Sequence, residues 1–127
     1  MKKTRYIAGA VIILALVCVL GGCNMNSDSV SVEERVKMFI SDANAKSYSS
    51  LKAHTHPDAA QYNQANSSFW ETRLETALNL SYGSRSGDTV LVNGNSTSFT
   101  FYLKEDDPDV YKIYKIVQSG NATPIFQ

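Results

Sequence analysis

The hydrophobic period changes once along this chain, at Leu78, and that change limits the folds open to it. Before Leu78 apolar residues recur at helical spacing: Val32, Val36, Phe39 and Ala43 form one stripe, and Trp70, Leu74, Ala77 and Leu78 another. After it the period is two, with Leu78, Leu80 and Tyr82 alternating against Asn79, Ser81 and Gly83. Ser31-x-x-Glu34 and Ser68-x-x-Glu71 both read as capping boxes, so one helix is expected from Val32 to about Lys46 and another after Ser68. A short helical stretch over Tyr48 to His54 must end by Pro57, because a proline pushes the residue before it out of the helical region. Strands are expected at 78–82, 89–93, 97–104 and 110–118, joined by turns at Asn93-Gly94-Asn95 and Glu105 to Asp109. Phe99, Phe101 and Leu103 would share one face of the third strand. Helices first and a meander afterwards predict an α+β fold, with N-terminal helices packed on a curved antiparallel sheet of about four strands.

The first 22 residues follow a different logic. Lys2, Lys3 and Arg5 precede an apolar run from Ile7 to Leu20, which is the order of a secretory signal. That run is 14 residues, short of the roughly 20 needed to span a bilayer as a helix. Leu20-Gly21-Gly22-Cys23 then resembles the bacterial lipobox, in which the Cys thiol is alkylated by a diacylglycerol and the chain is cut just before it. The resemblance implies lipidation at Cys23 and membrane attachment through its acyl chains, two or more of which anchor stably where one is marginal. It implies a place at the cell membrane or the outer membrane, facing the extracytoplasmic side. Asn24 to Val30 reads as a polar tether. The expected organisation is therefore a signal at 1–22, a lipidated Cys and tether at 23–30, a domain at 31–120 and a flexible tail at 121–127.

Composition narrows the function classes. Removing residues 1–22 takes away three cations and no acid, leaving nine Lys/Arg against twelve Asp/Glu, a net of −3. A chain without a basic excess is not built to neutralise phosphates, so no nucleic-acid partner is expected. Cys18 would leave with the signal and Cys23 would be alkylated, so the mature domain would hold no disulfide and no reactive thiol. No phosphate loop, dinucleotide fingerprint or HExxH occurs, and no cofactor is expected. Glu105-Asp106-Asp107-Pro108-Asp109 lacks the spacing of a calcium loop and reads as a hairpin turn.

The order of elements is similar to the NTF2-like (cystatin-like α+β) superfamily, notably its small bacterial lipoproteins. Two stretches carry this: the opening helix Val32 to Lys46, and the closing hairpin LKEDDPDVYKIYKIV at 103–117, with Tyr111 where the family usually has Trp. The resemblance implies a cavity between helix and sheet, for which Trp70, Tyr102 and Tyr114 are the candidate lining, and it admits a homodimer through the sheet. The leading expectation is a non-catalytic domain binding a small molecule or an envelope protein. The alternatives are an isomerase or hydrolase using His54 or Asp58, with Tyr62 a further side chain suited to acid–base chemistry though nothing in the sequence fixes the three at one pocket, and a purely protein-interaction module that dimerises. His54 and His56 on an extended segment could also share a metal with Asp58, whereas on an α-helix residues two apart diverge.

Overall fold

A computed structural model of the chain describes residues 29–75 and 79–127. The signal, the lipobox and Cys23 lie outside the described residues, as do Ala77 and Leu78. Helix α1 spans Val32–Asn44 and helix α2 Ser67–Leu74; the 3-10 segments η1 (Tyr48–His54) and η2 (Tyr62–Gln64) lie between them. Strands β1 (Ser81–Ser86), β2 (Thr89–Asn93), β3 (Ser98–Asp107) and β4 (Val110–Gln118) form one antiparallel sheet in sequence order. The fold is α+β. Among the described residues no helix is long and apolar enough to cross a membrane.

Helix α1 begins where its local chemistry requires. The Glu34 N–H donates to Ser31 Oγ (3.1 Å) and the Ser31 N–H donates to Glu34 Oε1 (3.0 Å), satisfying two amides that the first turn leaves without partners. The helix stops at Asn44 because Lys46 takes a left-handed conformation (φ 61°), and the Ser47 N–H then returns to Asp42 O at 2.9 Å. Asn44 extends this stop into the sheet. Its side chain donates to Leu80 O and accepts from the Leu80 N–H, both at 2.9 Å, so it pairs with the chain entering β1 as a strand would.

The core lies between the helices and one sheet face. Phe101 of β3 meets Phe39 of α1 edge-on (5.2 Å), Phe39 meets Trp70 of α2 (5.4 Å), and Trp70 meets Phe126 (5.2 Å). Each edge-on pair adds about 0.5–1.5 kcal/mol beyond the area it buries. In η1 the threefold repeat places Tyr48, Leu51 and His54 in one row; Leu51 is fully buried and His54 is carried towards α1.

Three single-residue bulges bend the sheet. Gly83 of β1 lies between the pairs Tyr82↔Val92 and Ser84↔Leu91. In the closing hairpin Asp106 is the unmatched residue of β3 and Tyr114 the unmatched residue of β4. An extra residue kinks its strand and inverts the alternation beyond it, which is how Ile113 and Ile116 both face the core although they are three apart. At Gly83 any Cβ would stand 2.6 Å from Leu91 O, so only glycine fits that approach.

Four sequence expectations are corrected. The α2 cap is Asn66, whose Oδ1 accepts from the Phe69 N–H at 2.9 Å; the Ser68-Glu71 box lies inside the helix and does not start it. The first strand runs over 81–86 instead of 78–82, because Asn79 takes a positive φ of 54° and the chain turns there. The third strand continues to Asp107, since the bulge at Asp106 lets pairing persist up to a two-residue turn with Asp109 at φ 63°. The segment 121–127, read as a flexible tail, supplies a core residue: Phe126 is fully buried, it bridges Ile116, and Gln61 holds Gln127 through two hydrogen bonds.

Candidate functional site

A partly buried chain of polar groups sits where α1, η1 and β4 meet. Arg35 projects from the buried face of α1, and only 7% of its surface is exposed. Its Nε donates to Tyr111 O on β4 (2.7 Å) and its Nη1 lies 3.0 Å from His54 Nδ1. His54 Nε2 is in turn 2.7 Å from Asp42 Oδ2. Since a guanidinium can only donate, Nδ1 is the acceptor and Nε2 carries the proton given to Asp42. A guanidinium, an imidazole and a carboxylate thus stand in line. Burial lowers the Arg35 pKa from its usual value, and the nearby Asp106 carboxylate opposes that shift.

Beside this chain of contacts a groove of about 480 Å³ opens along α1, lined by Glu34, Lys37, Met38, Ser41, Asp42 and His54. It is shallow and largely open to solvent. Met38, 42% exposed, contributes apolar surface, while Lys37, Glu34 and Asp42 bring charge of both signs. Lys37 also pairs with Glu33 one turn back, at 3.7 Å.

His54 and His56 are not brought together. His56 is buried on the other side of Thr55, with Nε2 3.1 Å from Glu105 O and Nδ1 accepting from the Asp58 N–H at 3.0 Å. Its ring meets Tyr114 edge-on at 6.0 Å. Asp58 reaches outward to Lys104 (3.3 Å), and Tyr62 lies under Lys52, whose Nζ is 4.8 Å from the ring centroid. The shared-metal reading of His54, His56 and Asp58 therefore does not hold. Among the described residues no group of three or more His, Cys, Asp or Glu side chains is placed to hold a metal ion. Nor do His54, Asp58 and Tyr62 share a cavity: the carboxylate that meets His54 belongs to Asp42.

The aromatic trio also separates. Trp70 is fully buried among Phe39, Phe69 and Phe126, and its Nε1 is buried without a hydrogen-bond partner. Tyr102 and Tyr114 are exposed on the outer sheet face, where Lys115 stands 5.5 Å from the first ring and Lys104 5.0 Å from the second. They line no common pocket with Trp70, because the core-facing side of β3 belongs to Phe99, Phe101 and Leu103 and because Tyr114 is itself a bulge residue.

Arg35 and Asp42 escaped the sequence reading. For Arg35 a signal existed: it lies within the i, i+3, i+4 face set by Val32, Val36 and Phe39, where a charged residue must find internal partners. Asp42 carried none, since its partner His54 is 12 residues away and nothing in the spacing ties them.

At the other end of α1 the chain enters the sheet edge. The Val30 N–H donates to Asp109 O and the Tyr111 N–H donates to Val30 O, both at 2.9 Å. Carboxylates crowd the tip beside it. The pKa of the Tyr111 hydroxyl is raised, first by Glu105 and then by Asp88, with burial and Asp109 adding to it.

Comparison of the chain with protein-family models, with characterised proteins and with solved structures finds no match.

Proposed function

We propose that this chain is a membrane-anchored cell-envelope lipoprotein whose NTF2-like domain binds a small ligand or an envelope protein without performing chemistry on it. The observation that carries this is the sequence Leu20-Gly21-Gly22-Cys23 behind a cationic start and a 14-residue apolar run. Two features of the domain support it. The described chain is fastened to the sheet from Val30 onwards, seven residues after Cys23, so a tether of about 23 Å at full extension would separate the acyl chains from the domain. The groove along α1 offers an open binding place, and both ring nitrogens of His54 in it are already engaged, by Arg35 and by Asp42.

Binding is thus favoured over the isomerase or hydrolase alternative on His54 and Asp58. The ligand place moves from Trp70, Tyr102 and Tyr114 to the α1 groove. A homodimer through the outer sheet face belongs to the same proposal, with Leu91 and Tyr102 as its exposed apolar residues.

The test is Cys23→Ser in a bacterial host. The expected result is loss of the diacylglyceryl mass from the purified chain, accumulation of the uncut precursor and loss of stable membrane fractionation. Unchanged processing and unchanged fractionation would overturn the anchor.

A further inference from the structure

Residues 121–127 are attached to the domain unevenly. The chain is exposed from Ser119 to Thr123, and Ala122, Thr123 and Pro124 make no hydrogen bond among the described residues. The three residues that follow are gripped by two separate elements. On β4 the Ile125 N–H donates to Ile116 O (2.9 Å) and the Ile116 N–H donates to Phe126 O (2.8 Å), which is one step of antiparallel strand pairing. Just before η2, the Gln61 N–H donates to Gln127 O (2.7 Å) and the Gln61 side-chain Oε1 accepts from the Gln127 N–H (3.0 Å). All four bonds engage main-chain atoms of the segment, so none depends on the side chains it carries. Selection falls to one position. The Phe126 ring is fully buried and meets Phe69 edge-on (6.2 Å) and Trp70 at a tilt (5.2 Å). Main-chain bonds along a strand edge, with a pocket for one side chain, are a means by which proteins hold extended peptides.

We propose that the space bounded by β4, Gln61 and α2 is a binding site for an extended peptide segment of a partner protein, filled here by the chain's own residues 125–127. The occupant defines the chemistry of what the site takes: extended backbone, an aliphatic residue, then an aromatic one whose ring reaches Trp70. The occupant also leaves one need unmet. Trp70 Nε1 is buried without a hydrogen-bond partner, and a buried donor left unpaired costs stability. A segment that brings an oxygen to this N–H gains a hydrogen bond that the hydrocarbon ring of Phe126 does not supply.

Exchange asks little of the rest of the fold. Because nothing ties down residues 122–124, the segment can lift from Gln61 and Ile116 while β3 and β4 stay paired. The chain's own segment then competes with the partner, and the apparent affinity for the partner falls by the fraction of molecules in which the site is empty. This site deepens the protein-binding part of the function proposed above. It draws on neither the anchor at Cys23 nor the α1 groove, so peptide binding tests the site, while mass and fractionation of Cys23→Ser test the anchor.

The probe is a synthetic peptide copying residues 119–127, set against the same peptide carrying Phe126→Ala. The receptor is the full chain in detergent micelles, unmodified and as Phe126→Ala, which removes the occupant's ring and keeps Ile116, Gln61, Phe69 and Trp70. The copied peptide should bind the Phe126→Ala chain at least about tenfold more tightly than the unmodified chain, and should raise the unfolding midpoint of that variant. The Ala peptide should bind neither. In the unmodified chain the Ile125 and Gln127 amides should exchange roughly tenfold or more faster than the paired amides of β3 and β4. No binding to the Phe126→Ala chain overturns the site, as does equal binding to both chains or by both peptides. Exchange of Ile125 and Gln127 only together with β3 and β4 overturns it too, since a segment that never leaves alone yields to no partner. An unmodified chain that is dimeric while Phe126→Ala is monomeric would give the site to a second copy and overturn the partner. Should Phe126→Ala not fold, Ile125→Pro replaces it: deleting the N–H given to Ile116 O loosens the occupant and leaves the site's own residues in place. The copied peptide should then bind Ile125→Pro more tightly than the unmodified chain, and equal binding overturns the site.

Discussion

At the β4 edge of the sheet three segments far apart in sequence, at Val30, Thr55 and Phe126, each add an isolated bridge, whereas along β1 no further strand pairs among the described residues and the strand bends at Gly83. Both edges face the same difficulty, a row of backbone groups that would pair with any passing strand. One is covered and the other is deformed. Covering is non-local: it gathers the start, the middle and the end of the described chain onto one strand and places the His54 and Arg35 contacts there. Deforming is local and rests on a residue without a side chain, together with Ser84 and Ser86, which offer little apolar surface to a partner.

Three substitutions sharpen or break this contrast. The largest effect is expected from Phe126→Ala, which empties a fully buried site against Trp70 and Phe69 and should cost about 3–5 kcal/mol in denaturant unfolding. A loss below about 1 kcal/mol would mean that the β4 edge does not need its last cover. Gly83→Ala comes next. Its Cβ would press on Leu91 O, and a cost of about 1–3 kcal/mol is expected, with faster amide exchange in β1 and β2 and unchanged exchange in β4. Equal loosening of both edges would show that the bulge braces the whole sheet. The smallest effect belongs to Val30→Pro, which deletes the N–H given to Asp109 O and leaves the bond from Tyr111 intact. About 1 kcal/mol is expected, read as a small shift in the unfolding midpoint.

The same contrast between local and distant causes explains what the sequence disclosed. The start of α1 was legible because a capping box is a four-residue device, and 89–93 and 110–118 were legible as strands because β-branched and aromatic residues run there between turn signals. The Ser68 box misled because Asn66, two residues earlier, was an equally good cap and took the place. Facing was harder to read than existence. A single bulge at Tyr114 inverts the side on which every later residue of β4 falls, so no alternation rule could place Tyr114. The tail carries no local sign of burial, because Gly120, Asn121 and Pro124 mark turns and the burial of Phe126 depends on a space against α2 and Ile116 that exists only after folding. His54 stood out as a polar residue worth testing, yet its partners lie 12 and 19 residues upstream on one helix, and only the packing of η1 on α1 brings them within reach.

The pairing of Val30 with Val110 has a mechanical consequence. Val30 lies parallel to β4, held by Asp109 and Tyr111 on either side of its partner, and the next residue, Ser31, caps α1. A load applied through the preceding residues along the strand axis would strain both hydrogen bonds in shear, together and not one after the other as in an unzipping geometry. The helix cap lies directly behind them, so tension must overcome the joint before it can unwind α1.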